Sequence, residues 1–246
     1  MEKLNGNEPR ASAGVKMDYY RKIAIITGVL FIIATGADML SSLFTGSMNA
    51  TNYLVDVSAN AGQVGTGALL LFIGGAAAAG IAIALYPVLR KYNEGLALGA
   101  VGFRTFEGVL RFVAVCCLLL LITLSQQFVK AGAPDSSYFQ TLGVLVLAMY
   151  RWVGNVGSLL AFSIGSLLYY IIFYRTKLVP RWLSIWGLVA SILAMLSTVL
   201  CMVGFITPFS TEQVLMAIPM LPQEMVLAVW LIVKGFNPSV IASESA

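Results

Sequence analysis

The chain has 246 residues, 59% of them hydrophobic and 11% charged, with a net charge of +4. Soluble domains carry about 25% charged residues, so this composition excludes a water-facing globular surface. Histidine is absent, which removes His-ligated haem, His-based zinc sites and every triad with a histidine base.

In chain order, residues 1–21 form a polar leader, expected to be cytoplasmic. It does not read as a signal peptide, because its polar stretch precedes the first apolar run and no small-residue cleavage site follows. Six apolar segments come next, at about residues 23–44, 65–88, 95–126, 141–174, 181–207 and 213–234. Each is near or above the roughly 20 residues that cross a bilayer as a helix. They are separated by Asn49-Ala-Thr-Asn52, Arg90-Lys-Tyr-Asn-Glu94, Lys130-Ala-Gly-Ala-Pro-Asp135, Arg175-Thr-Lys177 and Thr207-Pro-Phe-Ser210. The reading is all-α: a polytopic transmembrane helical bundle of about six helices over residues 22–236, with a short tail at 237–246. Whether residues 138–150 continue the fourth helix is open at this level. The runs Gly74-Gly-Ala-Ala-Ala-Ala-Gly80 and Gly95-Leu-Ala-Leu-Gly99 read as close helix packing. Asn49-Ala-Thr51 fits a glycosylation acceptor if the source is eukaryotic.

Basic residues fall at segment ends, which is a topology signal and not a nucleic-acid signal. Lys3, Arg10, Lys16, Arg21, Lys22, Arg90, Lys91, Arg175, Lys177, Arg181 and Lys234 share one side, against Lys130 on the other. Both termini are therefore expected in the cytoplasm and the protein in the plasma membrane. Cys116, Cys117 and Cys201 lie inside apolar segments, where a loop disulfide is not expected.

Arg104, Arg111, Arg151, Asp38, Glu107 and Glu224 lie within or near the hydrocarbon region. A charge there costs at least about 2.5–3.5 kcal/mol, so each is expected to face the bundle interior and find a partner. Arg104, Glu107 and Arg111, at i, i+3 and i+7, share one helical face. Thr27, Thr35, Asp38 and Ser42 form a second polar stripe, and Arg151, Asn155, Ser158, Ser166 and Tyr169 a third. Depth along each helix suggests a midplane pair of Glu224 with Arg104, and an outer pair of Asp38 with Arg111 or Arg151. Pro219 and Pro222 should kink or break the sixth segment, which puts Glu224 in the first turn of its second half, where the helix dipole favours an anion.

Several of these features together resemble a known family. They are Arg21-Lys-Ile-Ala, Phe103-Arg104-x-x-Glu107, Leu178-Val-Pro-Arg-Trp-Leu183, Pro222-Gln-Glu224 and Trp230-Leu-Ile-Val-Lys-Gly235. In this order and spacing, over roughly residues 21–237, the chain resembles the bacterial and archaeal membrane proteins grouped as domain of unknown function 4386. The resemblance implies an integral membrane protein of six or so helices with no established activity. It singles out Arg104, Glu107, Pro180, Arg181 and Glu224. Members of that family often carry a histidine in the fourth segment; here Arg151 occupies that neighbourhood, which removes any proton transfer through such a histidine.

Three functions compete. The first is binding or translocation of a small molecule or ion at the intramembrane Arg/Glu cluster. The second is a structural or regulatory membrane subunit whose buried charges only set helix packing. The third, an intramembrane lipid-modifying enzyme, ranks last without a histidine, a metal-ligand cluster or a Ser/Lys dyad, and the balance leans away from an enzyme. P-loop, G-x-S-x-G, H-E-x-x-H and dinucleotide fingerprints are all missing from the sequence. No cofactor, metal or nucleic acid is expected. The lipid bilayer is the one partner that composition names.

Overall fold

In the bilayer core every backbone N–H and C=O must be satisfied within the chain, which leaves helices as the economical solution for long apolar segments. The computed structural model describes residues 8–45, 52–133 and 138–243. The Asn49 acceptor site, Pro134 and Asp135, residues 1–7 and residues 244–246 lie outside that range. Among the described residues, six helical stretches are long and apolar enough to cross a membrane: Met17–Thr45, Ala61–Leu89, Glu94–Lys130, Tyr138–Thr176, Arg181–Met202 and Thr211–Val233.

The helices are α1 (Glu8–Thr45), α2 (Tyr53–Ala59), α3 (Ala61–Leu89), α4 (Glu94–Lys130), α5 (Tyr138–Met149), α6 (Ser158–Thr176), α7 (Arg181–Met202), α8 (Thr211–Ala217), α9 (Met220–Val233) and α10 (Pro238–Ser243). A π-helical stretch, Tyr150–Gly157, joins α5 to α6. The question about residues 138–150 is thereby answered: they continue the fourth span, through one widened segment. α1 begins at Glu8, inside the polar leader, and its membrane-spanning part at Met17. At about 1.5 Å per residue, the 22 residues of α7 reach about 33 Å, close to the hydrocarbon thickness. The 37 residues of α4 exceed it, so this helix tilts or extends beyond the apolar layer.

Local chemistry explains the helix ends. The Asn93 side chain caps α4 by accepting from Leu96 N–H at 2.9 Å. Pro180 precedes α7, where its missing N–H costs nothing. Gly235, with φ +73°, takes the left-handed position after α9, and its N–H returns to Trp230 O at 3.1 Å. Arg21 on α1 donates to the carbonyls of Leu231 at 3.1 Å and Val233 at 3.3 Å, so the start of the first span and the end of the sixth share one face. We call it the terminal face.

The six spans form a closed ring. Each packs on its sequence neighbours, α1 on α3, α3 on α4, α4 on α6, α6 on α7, α7 on α9, and α9 back on α1. Outward positions such as Leu43, Leu120, Val144, Ile192 and Val229 are exposed and apolar, as a lipid-facing surface requires. Among the described residues the interior holds two large apolar cores and a small third cluster of Phe162, Ala190 and Met220. One, toward the terminal face, gathers Phe31, Ile81, Leu85, Tyr169, Tyr170, Phe173, Leu227 and Leu231. The other gathers Leu54, Val57, Val64, Val115, Leu118, Leu121 and Leu147 at the opposite end. The short helix α2 was not foreseen. It lies in the first joint and seals that far core with Leu54 and Val57.

Candidate functional site

The intramembrane charges fall between the two cores. In α4, Arg104, Glu107 and Arg111 rise along one face, as their spacing required. Glu107 Oε2 lies 2.8 Å from Arg104 Nη1, and its Oε1 lies 2.9 Å from Arg111 Nη2. Arg111 Nη1 then pairs with Asp38 Oδ2 on α1. The result is one chain of alternating charges, Arg104–Glu107–Arg111–Asp38. Its side chains are sealed at one end and open at the other: Arg104 is 2% exposed and Glu107 0%, Arg111 15% and Asp38 30%. The choice left open for Asp38 is resolved in favour of Arg111.

Small residues on neighbouring spans make room for these groups. A Cβ at Gly74 would stand 2.4 Å from Asp38 Oδ1, and one at Gly75 would stand 3.2 Å from Arg111 Cβ. On α6, a Cβ at Gly165 would stand 2.9 Å from Arg104 Cγ. The Gly74–Gly80 run does pack closely, and in addition it provides seats for ionic side chains. Arg104 also donates from Nε to Ala78 O at 3.4 Å and lies over the Phe162 ring, 4.8 Å from its centroid.

Glu224 departs from the expected pairing. It accepts from Thr35 Oγ1 at 3.0 Å, and among the described residues no salt bridge joins it to Arg104. Arg104 spends its guanidinium on Glu107, three residues away, because a local i,i+3 partner needs no particular rotation of a distant helix. Glu224 remains within electrostatic range of Arg104, so it belongs to the same cluster. The proline expectation is met at Pro219: α8 ends at Ala217, Ile218 and Pro219 form a turn, and α9 starts at Met220. Pro222 falls in the first turn of α9, where it is tolerated. Glu224 is not in that turn, which contains no acidic residue; the break comes one turn earlier than its placement assumed.

Arg151 and Asn155 do not join the cluster's ion pairs. Both sit on the π-helical stretch. Asn155 Oδ1 accepts from Gln213 Nε2 at 2.8 Å, and Gln213 Oε1 accepts from Phe209 N–H at 2.6 Å. This arrangement ties the fourth span to α8. Arg151 lies near Tyr53 of α2, whose phenol is pushed up by burial while Arg151 draws it the other way. The stretch passes close to α4, since a Cβ at Gly154 would stand 2.5 Å from Ala114 Cβ. In α1, Ser42 is exposed, and its neighbour Ser41 turns inward instead, donating to Gly67 O at 2.7 Å.

Among the interior polar residues that the sequence reading did not single out are Gln223, Tyr170 and Ser191. Gln223 accepts from Tyr170 OH at 2.5 Å and donates to Leu183 O at 3.3 Å. Ser191 shares a 2.7 Å hydrogen bond with Ser166. The available signal was a glutamine beside Glu224 in an otherwise apolar helix, and a second tyrosine, Tyr170, next to Tyr169 of the third polar stripe.

The cluster thus has three carboxylates, Asp38, Glu107 and Glu224, and two guanidiniums, Arg104 and Arg111. No curated protein and no solved structure matches the chain. A family model described as a domain of unknown function (DUF4386) matches residues 26–235, a range that takes in every member of the charge cluster; the chain therefore belongs to that family.

Proposed function

We propose that the protein binds, and by the same site translocates, a small cation within the membrane, a proton or a monovalent metal ion, at Glu224. The observation that carries this reading is the charge imbalance. Arg104–Glu107–Arg111–Asp38 is internally balanced, whereas Glu224 is held by a neutral hydroxyl, Thr35. A buried carboxylate without a salt bridge is costly unless a counter-charge joins it, and a small cation supplies one. The helix break at Ile218–Pro219 adds to the case, since interrupted helices beside a polar group recur at intramembrane ion sites. Positive residues at the terminal face (Arg21, Lys22, Arg90, Lys91, Arg175, Lys177, Arg181 and Lys234) favour placing that face in the cytoplasm.

The test is flux in proteoliposomes holding the full chain, with a trapped pH dye in one arm and radioactive sodium in the other. Glu224→Gln should abolish the flux and leave the thermal melting profile close to wild type. Equal flux by wild type and Glu224→Gln would refute the proposal.

A second reading is favoured by the sealing of Arg104 and Glu107: the alternating chain fixes the rotation of α1, α3 and α4 against one another. That role is compatible with the first, because a site for one small ion needs a rigid frame.

A further inference from the structure

Two of the sequence features singled out above, Leu178–Leu183 and Trp230–Gly235, take no part in the charge cluster. The fold brings them together. Asn237 N–H donates to Leu178 O at 2.8 Å, and Asn237 Nδ2 to Lys177 O at 3.4 Å. This bridge holds the end of α9 against the start of α7. Between them, at the terminal face, opens a groove of about 680 Å³ whose charged lining residues are Lys177, Arg181 and Lys234. No carboxylate lines it. All three cations are exposed, and none forms a salt bridge among the described residues. The Arg181 guanidinium lies 5.6 Å from the Tyr174 ring centroid, an arrangement that steadies its plane and leaves its N–H edge for a ligand.

A second groove, of about 440 Å³, runs from the first along the lipid-facing side of α9. Trp182, Met225, Val226, Val229 and Val233 line it, and it shares Trp230 and Lys234 with the basic groove. From Val233 to Met225 it descends about 12 Å toward the membrane interior. Its only charged lining residue is Lys234, at its mouth. Cations at the interface over an apolar channel that leads inward have the shape and polarity of one kind of molecule, an amphiphile with an anionic head.

We propose that this composite groove binds one anionic phospholipid from the leaflet at the terminal face. Its phosphate sits among Lys177, Arg181 and Lys234, and one acyl chain lies against Trp182 and Val229. A free phosphate would use only the basic half, and a neutral lipid only the apolar half.

Native mass spectrometry of the full chain, released from detergent, tests this with phosphatidylglycerol, phosphatidylcholine and glycerol 3-phosphate as probes. Phosphatidylglycerol should bind roughly a hundredfold better than phosphatidylcholine, since each interfacial cation contributes about fivefold. Lys177→Gln, Arg181→Gln and Lys234→Gln combined should erase that preference. Val229→Trp, at a position 55% exposed, should fill the apolar half and weaken the diacyl lipid about tenfold without raising the binding of glycerol 3-phosphate. Should the triple variant not fold, the Lys177→Arg/Lys234→Arg pair, expected to retain the preference, and Val229→Trp decide the matter. Equal binding of the two lipids, or glycerol 3-phosphate competing as well as phosphatidylglycerol, would overturn the proposal, as would full lipid affinity in Val229→Trp.

Discussion

Glu107→Gln is the most informative single change in the charge cluster. The carboxylate is fully buried and touches Arg104 at 2.8 Å and Arg111 at 2.9 Å. At an effective dielectric of about 20, one contact at that distance is a gross attraction of about 6 kcal/mol. Gln keeps the shape and removes the charge. Arg111 still has Asp38, so the damage falls on Arg104, left as a buried cation with Ala78 O, the Phe162 ring and the field of Glu224 without a salt bridge. Breaking one member of a buried pair costs about 3–5 kcal/mol, and that is the expected loss. The double variant Arg104→Met/Glu107→Leu removes one charge of each sign, leaves Arg111 with Asp38, and should return to within about 1.5 kcal/mol of wild type. Reversible unfolding in mixed micelles titrated with a denaturing detergent measures both. A loss under about 1 kcal/mol for Glu107→Gln, or a double variant as unstable as the two single changes summed, would refute the pairing scheme.

Gly74→Ala should cost about 1–3 kcal/mol by forcing Asp38 aside, whereas Gly36→Ala, where an added Cβ meets nothing within 4 Å, should be neutral or slightly stabilising; the same unfolding assay compares them. Tyr170→Phe orphans the Gln223 carbonyl and should cost about 1–3 kcal/mol, with most of that loss relieved when Gln223→Leu is added. Arg21→Gln releases the carbonyls at the end of α9 and should raise hydrogen exchange in the last turn of that helix and leave α4 unchanged, as read by mass spectrometry.

The membrane spans were legible because their signal is a run of apolar residues that no other environment accommodates. The Arg104–Glu107–Arg111 ladder was legible for a different reason: at i, i+3 and i+7 its geometry is set by one helix alone. The partner of Glu224 was not, because the choice between Arg104 and Thr35 depends on how α9 is rotated against α1 and α4, which no local spacing encodes. The same holds for Gly74 and Gly165, whose value lies in what the neighbouring helix places against them. Asn155 pairs with Gln213 of α8, a partner that spacing within the fourth span does not encode. The π-helical stretch Tyr150–Gly157 also departs from the 3.6-residue period on which the third polar stripe was read. Apolar Leu54 and Val57 in a polar joint were the one trace of α2, and seven residues are too few for a periodic signal.

The central claim is that Glu224 is the one carboxylate of the cluster free to take a cation. Carbodiimide labelling followed by peptide mass spectrometry tests it most directly, because the reagent partitions into membranes and reacts with protonated carboxyl groups, which a bound metal cation protects. Glu224 should be labelled; sodium should slow that labelling where the flux assay carries sodium, and a fall in pH should speed it where the assay carries protons; Glu107, clamped between two guanidiniums, should stay unmodified. Labelling of Glu107 in place of Glu224, or labelling of Glu224 at a rate no cation alters, would contradict it.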